Sequence, residues 1–123
     1  MAPVDPVESL RRICSALPAV EERLSHGEPT WFVQGKKSFV MLDDHHHGAV
    51  HLGFWCAAPP GVQAELVEQE PDRFFRPPYV GGRGWLGVRI DHEVDWDEIA
   101  RICADAYRQI APKRLIAELD ARP

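Results

Sequence analysis

The chain has 123 residues, of which 45% are hydrophobic and 27% are charged, and its formal net charge is −5 at pH 7. This length fits a single domain over residues 1–123 around one core, and the negative charge opposes unspecific wrapping of nucleic acid. The sequence has no apolar run of about 18 residues and no leader of the signal-peptide type, so we expect a cytoplasmic protein outside the membrane.

The first predicted element is a short amphipathic helix that begins at Asp5. Asp5 is a suitable N-cap, Pro6 occupies the first helical position, and Glu8 stands three residues after the cap, as in a capping box. Pro18 ends the helix, and its apolar stripe consists of Val7, Leu10, Cys14 and Leu17.

Three strands are predicted to follow. Residues 30–34 and 38–42 are rich in aromatic and β-branched side chains, and a turn at Gly35, Lys36 and Lys37 joins them into a hairpin. Residues 43–48 are polar enough for another turn. A third strand is indicated by the alternation of Val50, Leu52, Phe54 and Cys56, so the pattern predicts an antiparallel meander.

The second half of the chain adds a helix over residues 62–69, which Pro71 ends, and a later strand with Leu86, Val88 and Ile90 on one face. Asp95 then caps the best-specified helix, with Glu98 in a second capping box. Pro112 predicts a break before a shorter terminal segment. This order predicts an α+β single domain whose antiparallel β-sheet packs against N-terminal, middle and C-terminal helices.

The least generic stretch is residues 73–91, which combines arginines with aromatic rings. Guanidinium groups make forked hydrogen bonds and lie flat on rings, so such a surface suits the binding of anions or planar groups. The alternative is that the rings belong to the core and the arginines form a solvated rim. The residues concerned are Arg73, Arg76 and Arg83 with Phe74, Phe75, Tyr79 and Trp85.

Four blocks in order resemble the MmcQ/YjbR family, which belongs to the CyaY-like fold group and is often described as DNA-binding. They are residues 17–22, residues 27–31 with 33–39, residues 78–85 and the helix with Ala106 and Tyr107. The resemblance implies an α+β domain whose paired β-hairpins act as wings on DNA, and it supplies no catalytic motif. The chain departs from the family at Trp31, where Phe is common, and in its three-histidine turn.

The resemblance and the residues together suggest nucleic-acid binding without catalysis. Phosphates would be contacted by Lys36, Lys37, Arg73, Arg76 and Arg83, and the groove would be shaped, or its bases stacked, by Trp31, Tyr79 and Trp85. The alternative partner is a small anionic ligand or another protein, bound by the same surface without DNA. The sequence leaves the oligomeric state open.

A metal site is a weaker candidate. Six side chains with oxygen or nitrogen ligands lie between Asp43 and His51. Because alternate residues of an extended segment share a face, only His45, His47 and His51 could converge on one ion. The competing interpretation is a solvated polar turn, and we predict no metal and no other cofactor.

No catalytic residue is predicted. Cys14, Cys56 and Cys103 lie far apart on apolar stripes without a C-x-x-C pair, which favours buried, reduced thiols. Residues 81–84 lack the spacing of a phosphate-binding loop and predict a tight turn.

Overall fold

A computed structural model describes residues 5–45 and 51–123. These ranges form one α+β domain, as predicted, with four helices, six strands and one 3₁₀ turn at Gly81–Arg83. In chain order the elements are α1 Pro6–Ser15, β1 Val20–Ser25, β2 Glu28–Val33, β3 Lys37–Asp44, β4 Leu52–Cys56, α2 Val62–Gln69, β5 Phe74–Phe75, β6 Leu86–Arg89, α3 Trp96–Ile110 and α4 Lys113–Asp120. In the described part of the chain, no helix is both long and apolar enough to cross a bilayer.

The six strands form one antiparallel sheet in the order β1-β2-β3-β4-β6-β5. The predicted hairpin, third strand and later strand are β2, β3, β4 and β6, so the prediction of a meander plus a later strand is confirmed. Two edge strands were not predicted. Three of the six side chains of β1 are charged and its four central residues are exposed, while β5 has only two residues, so neither strand shows the alternation that marks a half-buried strand.

Two tight turns fix the register of the first three strands. His26 and Gly27 join β1 to β2 with φ of 53° and 82°, and Gln34 and Gly35 begin the turn into β3 with φ of 54° and 67°. Successive positive φ angles match the twist of hairpin turns, which explains a glycine in each. Lys36 follows in the second turn, whereas Lys37 already pairs with Val33.

The predicted helix caps are present. Asp5 Oδ1 accepts a hydrogen bond from the Val7 amide at 3.0 Å, and Asp95 Oδ1 accepts one from the Asp97 amide at 2.9 Å. These caps satisfy amides that have no partner inside their helices, so α1 and α3 begin where the sequence predicts. Pro112 separates α3 from α4, also as predicted.

One face of the sheet packs against helices α1 and α3, and we call it the helix-covered face. Trp31 opposes Val40, and Val40 opposes Cys56, so these side chains share that face. The ring of Phe39 meets Tyr107 of α3 edge-on, with centroids 5.6 Å apart. The Tyr107 hydroxyl donates to the Pro18 carbonyl at 2.7 Å, which ties α3 to the connection between α1 and β1.

The opposite face lies under the loop of residues 76–85, and we call it the loop-covered face. Its register runs through Met41, Trp55, Gly87 and Phe75, which oppose one another on neighbouring strands. The side-chain amide of Gln63 on α2 donates to the Gly81 carbonyl at 2.8 Å and also to the Trp85 carbonyl. Helix α2 therefore holds the loop that carries half of the predicted binding residues.

Candidate functional site

A cleft lies where the β2–β3 turn meets the end of the 76–85 loop and the end of α3. Its volume is about 560 Å³. We call it the basic cleft, and its lining consists of Phe32, Lys36, Lys37, Ser38, Arg83, Trp85 and Ile110. Lys36, Lys37 and Ile110 also line an adjoining depression with Pro112. The fold thus brings Lys36 of the β2–β3 turn and Lys37 at the start of β3 to an arginine about fifty residues further along the chain.

The cations of the basic cleft are exposed, and they are not among the basic residues that form ion pairs in the described part of the chain. Lys36, Lys37 and Arg83 all lie at the surface. The ion pairs of Arg and Lys within residues 5–45 and 51–123 involve Arg11, Arg73 and Arg108. In that part of the chain the three cleft cations face no ion-pair carboxylate within 4.0 Å, so their charge is directed to solvent or to a ligand.

Arg83 and Trp85 form the wall of the cleft together. The guanidinium carbon of Arg83 lies 5.1 Å from the centroid of the Trp85 ring, a cation–π contact that orients the arginine. Trp85 itself is only 6% exposed. It therefore supports Arg83 and shapes the cleft, and it presents little ring surface on which a base could stack.

The structure adds one cation that the sequence did not suggest. Arg23 of β1 places its guanidinium carbon 4.0 Å from the ring centroid of Phe32 and donates to the Gly35 carbonyl at 2.9 Å. It borders the basic cleft because Phe32 lines it. The sequence would have indicated the position of Arg23 beside Phe32 only if β1 had been predicted as the strand next to β2.

Arg73 lies apart from the cleft, contrary to its predicted role as a phosphate contact. Its guanidinium donates to Glu70 at 2.7 Å and also to Glu98 of α3. The hydrogen bond that Arg73 donates to Glu70 is the main reason that the pKa of Arg73 is raised above its ordinary value. Two carboxylates and a contact with the Phe74 ring thus hold Arg73 in place, and its bond to Glu98 links it to α3.

Trp31 is a core residue, and the prediction that it shapes or stacks in a groove requires correction. Its side chain is 0% exposed on the helix-covered face. The indole Nε1 donates to Glu22 Oε1 at 3.1 Å, and Arg11 Nε of α1 donates to the same oxygen at 2.8 Å. A fully enclosed ring has no face for a base, so its function is packing.

Tyr79 and Arg76 belong to the 76–85 loop but do not line the basic cleft. Tyr79 is 82% exposed and lines a different cavity, with Trp55 as neighbour. The stem of Arg76 lies against Gly81, where an added Cβ would stand 2.7 Å from Arg76 Cγ. These two residues are close to Arg83 in the sequence, but in the structure they lie outside the lining of the cleft that contains Arg83.

The histidines near β3 and β4 contact carboxylates. His45 Nδ1 lies 2.6 Å from Asp44 Oδ1, and His51 Nδ1 lies 2.8 Å from Asp91 Oδ2. Residues 5–45 and 51–123 contain no group of three His, Cys, Asp or Glu side chains placed to hold a metal ion. His47, the rest of the predicted turn as far as Gly48, and Val50 of the predicted third strand lie outside the described residues.

The three cysteines are buried and free, as the sequence predicts. Burial is the first cause that raises the pKa of Cys14 and Cys56 well above the ordinary thiol value. A thiol held in its protonated form is a poor nucleophile, so these side chains act as small apolar groups in the core.

The fold and the basic cleft define a small α+β domain with an exposed cationic site. The YjbR family model matches residues 15–109, and the chain belongs to the YjbR family. The crystal structure of the Deinococcus radiodurans protein DR2400, which contains a DUF419 domain, has the same fold with a TM-score of 0.72. It is 17% identical in sequence, and the alignment covers 96% of this chain and 92% of that protein. No curated protein matches the chain.

Proposed function

We propose that this chain is a non-enzymatic, cytoplasmic protein that binds nucleic acid through the phosphate backbone at the basic cleft. The observation that carries the proposal is the convergence of Lys36, Lys37 and Arg83 on one cleft. Cations grouped without carboxylate partners supply the electrostatic term that dominates affinity for phosphates. The description of the YjbR family as DNA-binding agrees with this assignment, and three buried free thiols suit a reducing compartment.

The shape of the cleft favours contact with the backbone over recognition of bases. Phosphate contacts position a protein on nucleic acid, while base edges are recognised by side chains that enter a groove. Here the cleft carries charge on a turn and a loop, and Trp85 offers little ring surface. We therefore expect weak dependence on base sequence. The net charge of −5 further implies that binding is local and sensitive to salt.

The test is fluorescence anisotropy of labelled duplex and single-stranded DNA, with salt varied from about 50 to about 300 mM, because the slope of log affinity against log salt counts phosphate contacts. Replacement of both lysines (Lys36→Ala/Lys37→Ala) should weaken binding. Each lost contact should reduce the magnitude of the slope by about 0.9 on duplex DNA and about 0.7 on single strands.

A matched control removes the same charge elsewhere. Arg12 of α1 and Arg101 of α3 are exposed cations outside the lining of the basic cleft. The double variant Arg12→Ala/Arg101→Ala changes net charge by the same amount as the lysine pair. This variant should leave the salt slope within error of that of the parent protein. Equal losses of DNA affinity in both double variants would mean that overall charge causes the effect, and would contradict binding at the basic cleft.

The competing function is the binding of a small anionic ligand or a protein at the same surface. A phosphate-bearing small molecule makes few ionic contacts, so its affinity should depend little on salt. Two results together would favour this alternative. The protein would not bind DNA at low salt, and it would bind such a molecule with little dependence on salt in a way that Arg83→Ala abolishes.

A further inference from the structure

The outer edge of β1 carries backbone groups that no strand pairs with in the part of the chain that the structure describes. β1 lies at one end of the sheet, next to β2. The Ala19 carbonyl accepts a hydrogen bond from the Gln34 amide at 2.7 Å, so the backbone of residue 19 points toward β2. Because this direction alternates along an antiparallel strand, the even-numbered residues point outward. We call the backbone N–H and C=O groups of Val20, Glu22 and Leu24 the β1 edge.

Two side chains of these outward residues lie on the helix-covered face and differ in what they contact. Glu22 opposes Trp31, and its Oε1 accepts hydrogen bonds from the Trp31 indole and from Arg11. The charge of Glu22 is therefore already compensated within its own chain. Leu24 shares this face because side chains alternate along a strand, and it is 74% exposed. An apolar side chain thus stands open beside the β1 edge.

The other face of β1 carries two exposed charges of opposite sign, one on either side of Glu22. Glu21 opposes Phe32 of β2, and the guanidinium of Arg23 lies over the Phe32 ring. Neither charge belongs to an ion pair among residues 5–45 and 51–123. If a second β1 strand is rotated by half a turn about Glu22, each of these charges meets its opposite. The strand is therefore complementary to itself.

We infer that two copies of this chain pair through the β1 edge, as antiparallel strands centred on Glu22. The outward backbone groups of Val20 then bond those of Leu24 in the second copy, and Glu22 bonds its own equivalent. Glu21 of each copy stands opposite Arg23 of the other, and Leu24 packs beside Val20. This inference is independent of the proposed nucleic-acid function, because none of these residues lines the basic cleft.

The charges favour this register over its neighbours. A shift by about two residues is the smallest that keeps the outward groups opposed, because the strand has a period of two. Such a shift would place Arg23 against its equivalent in one direction and Glu21 against its equivalent in the other, and like charges directly opposite are destabilising. In the centred register, like charges meet at Glu22, where Arg11 already compensates them. Charges that hinder unspecific pairing of an exposed edge thus admit one partner, a second copy of this chain.

The first test is sedimentation equilibrium of the whole protein at low salt, because salt screens exposed ion pairs. An interface made mainly of one strand edge is small, so we expect a dimer with a Kd on the order of 0.1 mM. Amide hydrogen exchange then locates the contact. The amides of Val20, Glu22 and Leu24 should exchange more slowly as protein concentration rises, whereas those of Glu21 and Arg23, which face β2, should not change.

Charge reversal tests the register. Glu21→Arg places like charges opposite each other at both ends of the contact, and so does Arg23→Glu, so each variant alone should dimerise about tenfold or more weakly than the parent. An equimolar mixture of the two variants restores opposite charges at both ends and should form a mixed dimer with about the parental affinity. Glu68→Arg is the control, because it makes the same charge change as Glu21→Arg on α2, beside the opposite edge of the sheet, and should leave the Kd unchanged.

Three results would overturn the inference. The first is a parent protein that stays monomeric at about ten times the expected Kd. The second is dimerisation that both single variants retain, because the two copies would then meet at another surface. The third is a mixture of the variants that fails to dimerise although both variants keep the parental circular dichroism spectrum, because charge would then not set the pairing.

Discussion

The two faces of the sheet use aromatic residues in opposite ways. On the helix-covered face, Trp31, Phe39 and Tyr107 are 0% exposed, and their contacts hold α1 and α3 in place. On the loop-covered face, the aromatic rings border two cavities, and one of them, Tyr79, stands almost entirely in solvent. The same residue types therefore fill the core on one face and line open cavities on the other.

The difference shows that the layer over a strand decides what its side chains do. Helices supply continuous apolar stripes that close over a sheet, so every ring beneath them becomes core. The loop of residues 76–85 covers its face incompletely and leaves a cavity on either side. Two lysines and an arginine line the cavity on one side of the loop, whereas the cavity beside Tyr79 is lined mainly by apolar and aromatic side chains.

The thiols of the helix-covered face provide the largest expected effect. Burial raises the pKa of Cys14 and Cys56, so the native protein should react with iodoacetamide at least about a thousandfold more slowly than the chain unfolded in denaturant. Labelling at pH 8 followed by mass spectrometry measures both rates. A native rate within tenfold of the unfolded rate would mean that this face opens to solvent.

The same two pKa shifts predict how stability changes in alkali. The unfolded chain releases its thiol protons above about pH 8.5, while the folded chain retains them until the raised pKa is reached. The contribution of these thiols to the unfolding free energy is therefore fully present below about pH 8.5. Above that pH, and up to the raised pKa of the folded chain, each thiol lowers the unfolding free energy by about 1.4 kcal/mol per pH unit. Urea titrations between neutral and alkaline pH measure this slope, and a Cys14→Ala variant should show a smaller one.

Replacement of the central ring of the helix-covered face should have the next largest effect. Trp31→Ala removes a fully enclosed side chain and its hydrogen bond to Glu22, so we expect the unfolding free energy to fall by about 3–5 kcal/mol. Tyr79→Ala is the matched change on the exposed side and should stay within about 0.5 kcal/mol. Urea unfolding gives both values. Loss of DNA affinity in Trp31→Ala with unchanged stability would restore Trp31 to the binding site.

The sequence predicted the elements whose pattern is strong. Both capped helices, the hairpin of β2 and β3, and the helix Val62–Gln69 follow from capping residues, turn glycines and apolar periodicity. The edge strand β1 was not predicted because Glu21, Glu22 and Arg23 are exposed and charged. Edge strands often carry charged side chains, which prevent aggregation. Without β1 the place of Arg23 beside Phe32 could not be inferred.

The candidate site was predictable only in part, because the type of a residue does not specify which neighbours its side chain contacts in the fold. Lys36, Lys37, Arg83 and Trp85 were selected for their chemistry, and the fold does bring them together. Arg73 has the same chemistry but faces Glu70 and Glu98, partners that lie 3 and 25 residues away in the chain. The cavity beside Tyr79 forms because Trp55 of β4 meets a distant loop, which no local pattern of the sequence indicates.

The smallest of these effects concerns how closely the loop-covered face is packed. Gly87 lies directly under the Phe75 ring, and a Cβ added there would overlap the ring atoms. Gly87→Ala should therefore lower the unfolding free energy by about 1–3 kcal/mol, the usual cost of overpacking. Gly82→Ala is the control, because its Cβ would meet only the end of the Arg76 side chain at 3.9 Å, and it should change stability by less than about 0.5 kcal/mol.

A double-mutant cycle shows whether the Phe75 ring causes the loss at Gly87. Phe75→Leu narrows the side chain, so Gly87→Ala should cost less in that background than in the parent, with a coupling on the order of 0.5–3 kcal/mol. Additive effects would mean that the ring moves aside freely and that the loop-covered face is loosely packed beneath its loop. Coupling would mean that Phe75 is held firmly over the sheet, so that both cavities border a rigid floor and can be selective for the shape of their ligands.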